Sequence, residues 1–260
     1  MIKRIYRSKL DIENLSRLRT SIPNGADNFN YKGIVVNKPW GYEYLMFENP
    51  YVAVWILYLK KGHGTSMHCH PTKKTSLLVV WGEVISSNLE GWIKRKHGEG
   101  LIIDEAVFHS TKAVSSDGAI VMEIESPPNK RDLVRLKDEY GRKDFGYEGT
   151  NKMTTDISEY EYIDFHDCVS KSRVTKKIRE CLISFSVNKN KSDIHEILQK
   201  DSGKMICLLA GKLHDSNGNL VLGVGDTAVL SEVISGRKIV SFGEVSYFTL
   251  SCHGKKNKSS

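Results

Sequence analysis

The chain of 260 residues has no apolar run approaching the ~20 residues that a membrane-spanning helix requires. Its opening stretch, MIKRIYRSKLDIENL, is basic but lacks the uninterrupted apolar core of a secretory signal. Neither membrane insertion nor secretion is therefore expected. The five cysteines, Cys69, Cys168, Cys181, Cys207 and Cys252, are odd in number and never spaced as CxxC. That argues against a disulfide framework and against a zinc knuckle, and makes a reducing cytoplasm the simplest compartment. Helical periodicity is scarce and no helix-turn-helix pattern is visible. The 38 Lys and Arg residues outnumber 31 acids to give a formal charge of +7, yet they are scattered among the acids rather than gathered in one aromatic-laced stripe. Nucleic acid is thus not an expected partner; the excess is ascribed to the tail GKKNKSS and to a preference for anionic small molecules.

What the chain does have is short β-branched and aromatic runs punctuated by glycine: YVAVWILYL (51–59), SLLVVWGEVI (76–85), GLIIDEAVF (100–108) and AIVMEIE (119–125). Evenly spaced short strands predict a sandwich or barrel. Ser126-Pro127-Pro128 ends the series, because two prolines remove ladder donors. NKRDLVRLKDEYG then reads as a short helix, with Asn129 as N-cap and Gly141 as the residue past its end. Arg131, Arg135 and Arg142 flank it and read either as guanidinium forks for a phosphate or, favoured by the 131/135 spacing, as a solvated face paired with Asp132 and Asp138. Strands return as CLISFSV, KMICLLAGKL, LVLGVGDTAVL and KIVSFGEVSYFTL. Aligned on their glycines, MICLLAGKL with GVGDTAVL resembles SLLVVWGEV with GEGLIIDEAV, which points to an internal duplication.

In GHGTSMHCHPTKKTSLLVVWG, residues 62–82, His68 and His70 stand two apart in a predicted strand. Both imidazoles therefore leave one face, and Cys69 the other. Two such imidazoles form half of a transition-metal site, and His109, after the strand signal 100–107, supplies a third nitrogen. The second unit has no HxH. At the matching place it offers Asp193, His195 and Glu196, where His195 reads as part of a polar loop or helical turn, so that half is expected to be structural and metal-free.

These features resemble the cupin superfamily, whose first motif is G(x)5HxH(x)3–4E(x)6G. Gly62, His68, His70, Thr75 and Gly82 reproduce that spacing; Gly100 to His109 follows the second motif, with Glu105-Ala106-Val107 where the family has PxG. Upstream, Asn37-Lys38-Pro39-Trp40-Gly41-Tyr42-Glu43 is similar to the RPWG(x)Y opening of the cupin domain of type II mannose-6-phosphate isomerases, and the match extends over residues 35–112. The resemblance implies an all-β chain of two tandem double-stranded β-helix (jelly-roll) barrels with a short helical linker. The expected plan is an N-terminal extension (1–30), a metal-binding barrel (31–126), a linker (127–160), a degenerate second barrel (161–253) and a basic tail (254–260). It also implies a homodimer.

Thr75 is the departure, because the family has a metal-binding glutamate there and a hydroxyl is a weak neutral ligand. The expected cofactor is still one divalent transition metal, Fe, Mn, Ni or Zn, on His68, His70 and His109, with Thr75 as the possible fourth position. For the base, the candidates are His63, Glu83 and Glu123; Glu83 compensates for Thr75 only if a bulge alters the strand's phase. Lys73 and Lys74 are placed to meet an anionic sugar, and Trp81, by parity with Thr75, to wall it. The four tryptophans, Trp40, Trp55, Trp81 and Trp92, fit core or rim packing. The implied activity is that of an isomerase or epimerase of a phosphorylated or nucleotide-linked sugar for cell-surface polysaccharide. An Fe(II)-dependent dioxygenase and a non-catalytic carbohydrate-binding protein remain open beside it.

Overall fold

The computed structural model describes residues 1–18, 29–142, 147–168, 171–189 and 193–252; the basic tail and part of the DFGYEGT segment fall outside these. In chain order the first unit contains β1 (Ile2–Ile5), α1 (Lys9–Arg17), β2 (Val35–Lys38), β3 (Gly41–Glu48), β4 (Ala53–Leu59), β5 (Met67–Cys69) and β6 (Lys74–Trp81). It continues with β7 (Glu83–Asn88), β8 (Trp92–Lys96), β9 (Gly100–Ile103), β10 (His109–Ala113), β11 (Ala119–Ser126), β12 (Val134–Lys137) and β13 (Met153–Thr154). The second contains β14 (Arg173–Ile178), β15 (Cys181–Asn188), α2 (Ile194–Lys200), β16 (Met205–Ala210), β17 (Leu213–Asp215) and β18 (Leu220–Leu222). It ends with β19 (Thr227–Val229), α3 (Leu230–Ile234), β20 (Ile239–Ser241) and β21 (Val245–Cys252).

The first unit pairs an eight-stranded sheet, β1-β9-β6-β11-β4-β3-β2-β13, with a five-stranded sheet, β12-β5-β10-β7-β8. Counting β4 to β11 as one to eight, the large sheet runs six-three-eight-one and the small sheet two-seven-four-five. That interleaving is the double-stranded β-helix. The second unit repeats it: β19-β16-β21-β15 in one sheet and β20-β17-β18 in the other. Two differences stand out: α2 stands where the second strand belongs, and α3 occupies the connection between the sixth and seventh strands. In the first unit that second strand is β5, which carries the HxH, so the second unit has a helix at the place of the ligand-bearing strand. His195 on α2 accepts a hydrogen bond at Nδ1 from the backbone N–H of Ile239 (3.2 Å) and so ties α2 to β20.

The sandwiches stack with their large sheets in contact. Between the first unit's sheets lie Leu45, Trp55, Leu57, Leu77, Val79 and Val121. Tyr44, Ile56, Leu78, Val80, Met122 and Ile124 leave the other face and meet Ile183, Phe185, Cys207, Phe248 and Leu250. Because the first unit's large sheet is buried on both faces, its strands read as continuous apolar runs instead of alternating ones. The second unit's interior, Ile206, Leu208, Leu213, Tyr247 and the apolar sides of α2 and α3, is aliphatic and aromatic.

Four expectations are corrected. Residues 129–141 are not helical: Val134 and Leu136 pack on one face of β12 while Leu133 and Arg135 face the interior of the first unit, a period of two. β12 pairs with the exposed edge of β5, Val134 opposite Cys69 and Arg135 opposite His68, and the linker's helix is a single 3-10 turn at Thr150–Lys152. Cys181 and Cys252 stand opposite each other on β15 and β21 and form a disulfide, 71 residues apart in sequence, a pairing made by strand register and invisible to Cys spacing. Trp92, on the edge strand β8, is 70% exposed rather than packed. Residues 2–17 are not an appendage: β1 adds in parallel to β9, and α1 packs against the outside of the small sheet, where Asp11 accepts from the Phe108 N–H (2.9 Å). No helix among the described residues is long and apolar enough to cross a membrane.

Phe248 sits at the junction of the sandwiches, 5.0 Å from the Phe165 ring, 5.5 Å from Phe47 and 5.8 Å from Phe185. Phe248→Ala is expected to cost about 3–5 kcal/mol by cavity formation, read as a lower urea midpoint. A loss under about 1 kcal/mol would contradict a core shared between the two units.

Candidate metal centre

Strand register brings the three histidines together. His68 on β5 and His109 on β10 are directly opposite in antiparallel pairing, and His70 follows two residues later on the same face. Ring centroids are 4.5 Å apart for His68 and His109, 4.9 Å for His68 and His70, and 5.4 Å for His70 and His109. Each Nδ1 meets a backbone carbonyl: Ser66 at 2.8 Å, Asp132 at 2.6 Å and Val107 at 2.9 Å, respectively for His68, His70 and His109. A carbonyl only accepts, so each Nδ1 carries the proton and each Nε2 keeps its lone pair. One ligand nitrogen from each of the three lies within 4.8 Å of the others, and the His70 Nε2 is buried with no hydrogen-bond partner. The donor set fits a divalent transition metal. Ala106 takes the left-handed φ of 61° in the loop before His109 and donates its N–H to the His70 carbonyl (2.8 Å), joining the two motifs.

His68 and His70 lie on one side of an open cavity whose wall is unusually charged for a barrel interior. Lys38, Trp40 and Glu43 reach it from the KPWGYE turn, where Gly41 has φ 149° and a Cβ would fall 1.8 Å from the Tyr58 carbonyl oxygen. Glu123 and Glu125 come from β11; Lys130, Arg135, Arg142 and Tyr147 come from the segment that follows. Buried opposite charges alternate continuously. Lys73 holds Glu125 (2.8 Å), Glu125 meets Lys130 (3.5 Å), Lys130 meets Glu43 (3.2 Å), and Glu43 meets Lys38 (3.3 Å). Lys38 pairs with Glu148, and Arg142 clamps Glu148 and Asp138, both at 2.7 Å. Tyr147 donates to Glu43, and the Lys130 ammonium lies 3.7 Å from the Trp55 ring centre. Burial alone would raise the Glu43 carboxyl, but Lys130 and Lys38 outweigh it and hold the group at about 2. Burial likewise opposes the Lys130 charge, yet Glu125 and Glu43 raise it above its ordinary value.

Of the residues expected from sequence, His68, His70, Glu123 and Lys73 line this cavity, and His109 stands behind them in the histidine cluster. Thr75 is buried next to it with its hydroxyl unpartnered, opposite Glu125 on β11. The others are corrected. His63 is exposed, its Nδ1 3.3 Å from the Tyr140 hydroxyl. Glu83, 41% exposed, pairs with Lys94 at 2.6 Å. Lys74 fastens the second sandwich through Asp226 (2.7 Å) and the Val224 carbonyl (2.9 Å). Trp81 is displaced by a bulge: Ile120 opposes Trp81 while Val121 opposes Val79, so Val80 is the extra residue and Trp81 turns to the outer face, beneath Arg179. The same phase change does not bring Glu83 inward. Lys38, Glu43, Glu125, Lys130, Tyr147 and Glu148 were not anticipated, although the KPWGYE phrase already contained the first two.

No protein-family model matches the chain, and no curated protein matches it. Among solved structures, an RmlC-like cupin from Shewanella frigidimarina is 17% identical, covering 40% of this chain and 93% of that one, with a TM-score of 0.34. KdgF from Halomonas sp. is 13% identical over 41% of this chain and 90% of its own, TM-score 0.32. The capsular polysaccharide assembling protein CapF from Staphylococcus aureus is 19% identical over 40% of this chain and 34% of that one, TM-score 0.36. Likenesses of this extent do not bear on substrate or reaction, and the cupin-type fold stands on the strand order.

Two outcomes are expected. Burial, as the largest cause, pushes His68, His70 and His109 below the ordinary 6.5. The unfolded chain therefore gains protons that the folded metal-free protein refuses, and stability falls as pH drops through about 6.5. Urea midpoints of the metal-free protein from about pH 7.5 to about 5.5 should fall more steeply than those of a His68→Gln, His109→Gln variant; parallel slopes would refute the neutral buried state. Glu43→Gln leaves Lys38 with Glu148 and Lys130 with Glu125 but removes the carboxylate between them, and is expected to cost about 1.5–3 kcal/mol in the same assay.

Proposed function

We propose that the protein is a metal-dependent enzyme acting on a hydroxyl-rich sugar derivative, and that it moves a proton on a carbon beside a carbonyl, as an isomerase or epimerase does. The observation that carries this reading is the convergence of three neutral imidazoles at the side of one charged, half-enclosed cavity, with carboxylates beside His70. A divalent ion on His68, His70 and His109 supplies a Lewis acid that polarises a carbonyl and its neighbouring hydroxyl. The wall binds and orients the rest of the substrate: its paired ammonium, guanidinium and carboxylate groups alternate donors with acceptors, a pattern that successive hydroxyls satisfy in both directions. Trp40 gives the wall one apolar surface. Lys38, Lys73, Lys130 and Arg142 each already hold carboxylates. The anionic charge expected on the substrate therefore belongs beside the histidines, as a carboxylate or a developing enediolate, in preference to a phosphate on the lysines. Two carboxylates on the floor, Glu123 and Glu125, are the groups in reach to hold a proton.

Solvent-deuterium incorporation across a panel of uronates, sugar phosphates and nucleotide sugars tests this. Exchange of a carbon-bound hydrogen in at least one of them is expected, dependent on added metal and abolished in His70→Ala. Metal-loaded protein that binds a sugar yet exchanges nothing would move the assignment to a carbohydrate-binding protein.

A further inference from the structure

The HxH motif leaves a gap at Thr75, and a candidate to fill it stands on the neighbouring strand. β6 and β11 are antiparallel, with Thr75 opposite Glu125 and Leu77 opposite Glu123. Alternation sends Val121, Glu123 and Glu125 inward together with Thr75, Leu77 and Val79. A carboxylate lost from β6 can thus be replaced from β11 without altering the barrel. Two glutamates are offered, and their partners separate them. Glu125 is committed to Lys73 at 2.8 Å and Lys130 at 3.5 Å. Glu43, the other carboxylate in the cavity wall, is committed to Lys38, Lys130 and the Tyr147 hydroxyl. Glu123, only 7% exposed, has no Lys or Arg within ion-pairing distance among the described residues. Its neighbours are the His70 Nε2, 3.8 Å from Oε1, and the Glu125 carboxylate, so that His70 is shared between the three-histidine cluster and a second cluster, His70, Glu123 and Glu125, whose ligand atoms lie within 4.8 Å of one another. The His70 Nε2 is neutral by tautomer and itself lacks a hydrogen-bond partner.

A buried carboxylate without a cation is costly, and so is a buried imidazole nitrogen without a donor. Both costs are removed if a cation sits between them. We infer that Glu123 is the carboxylate ligand of the metal centre, replacing from β11 the glutamate that the motif lacks at Thr75 and completing a set of three imidazoles and one carboxylate. The inference rests on the metal reading of the site. It takes Glu123 out of the role of general base and leaves Glu125, with its Lys73 partner, as the proton-holding group.

The test is equilibrium dialysis of the whole protein against Zn(II), with the visible spectrum of the Co(II) form, both without sugar. Glu123→Gln preserves shape and removes the charge; it should weaken metal affinity by about tenfold or more and change the Co(II) bands. Glu123→Asp, which keeps the carboxylate, should recover part of the affinity, and His70→Ala should lose the metal. Unchanged affinity and an unchanged Co(II) spectrum in Glu123→Gln would overturn the inference while leaving the three-histidine site intact. Wild-type protein that binds no metal would overturn both it and the reading on which it rests.

Discussion

The large sheet of the first sandwich is buried on both faces, and this constraint sets the phase of every residue that matters at the site. On β6 and β11 one parity enters the barrel and the other enters the interface with the second sandwich. Thr75, Glu123 and Glu125 share the inner parity; Ser76, Leu78, Met122 and Ile124 share the outer one. A slip of one residue would send carboxylates into an interface built around Phe185 and Phe248, and leucines into the cavity. The two units therefore act as one object energetically: the apolar outer face fixes the register on which the polar inner face depends. The hydrogen bond from the Ser76 hydroxyl to the Gly225 carbonyl (2.7 Å) and the Lys74–Asp226 pair lock the same register at the edge.

Inside, the expensive element is the chain of alternating charges from Lys73 to Asp138. Buried ion pairs contribute little net stability, because desolvation offsets the attraction. What they impose is geometry, since any arrangement that separates the partners strands a charge in the interior. The segment after β11 supplies Lys130, Arg142 and Glu148 to this chain and, through the Asp132 carbonyl, the acceptor that orients His70. It is consequently part of the site's wall, zipped to β5 by β12, and not a spacer between barrels.

The second sandwich keeps the same strand order with a helix at the place of β5. With α2 in place of the ligand-bearing strand, its interior is filled by aliphatic and aromatic side chains, and its large sheet serves as a platform for the first.

Local pattern was enough to reveal many of the strands, the punctuating glycines, the repeat of strand pattern and the convergence of His68, His70 and His109, because each depends on alternation and short-range spacing that a linear chain displays directly. It misled at Trp81, where one bulged residue reverses the parity, and at 129–141, where an edge strand offered hydrogen bonds to a segment with equal claim to helix. The partners of Lys73, Lys74 and Glu123 depend on side chains up to about 150 residues away, and the Cys181–Cys252 bond on register between strands 71 residues apart. Sequence by itself thus determined the fold and the three nitrogens of the site. Which carboxylate stands beside them was decided only by tertiary structure, because a charge buried in a barrel is committed or available according to the cations that distant segments bring against it.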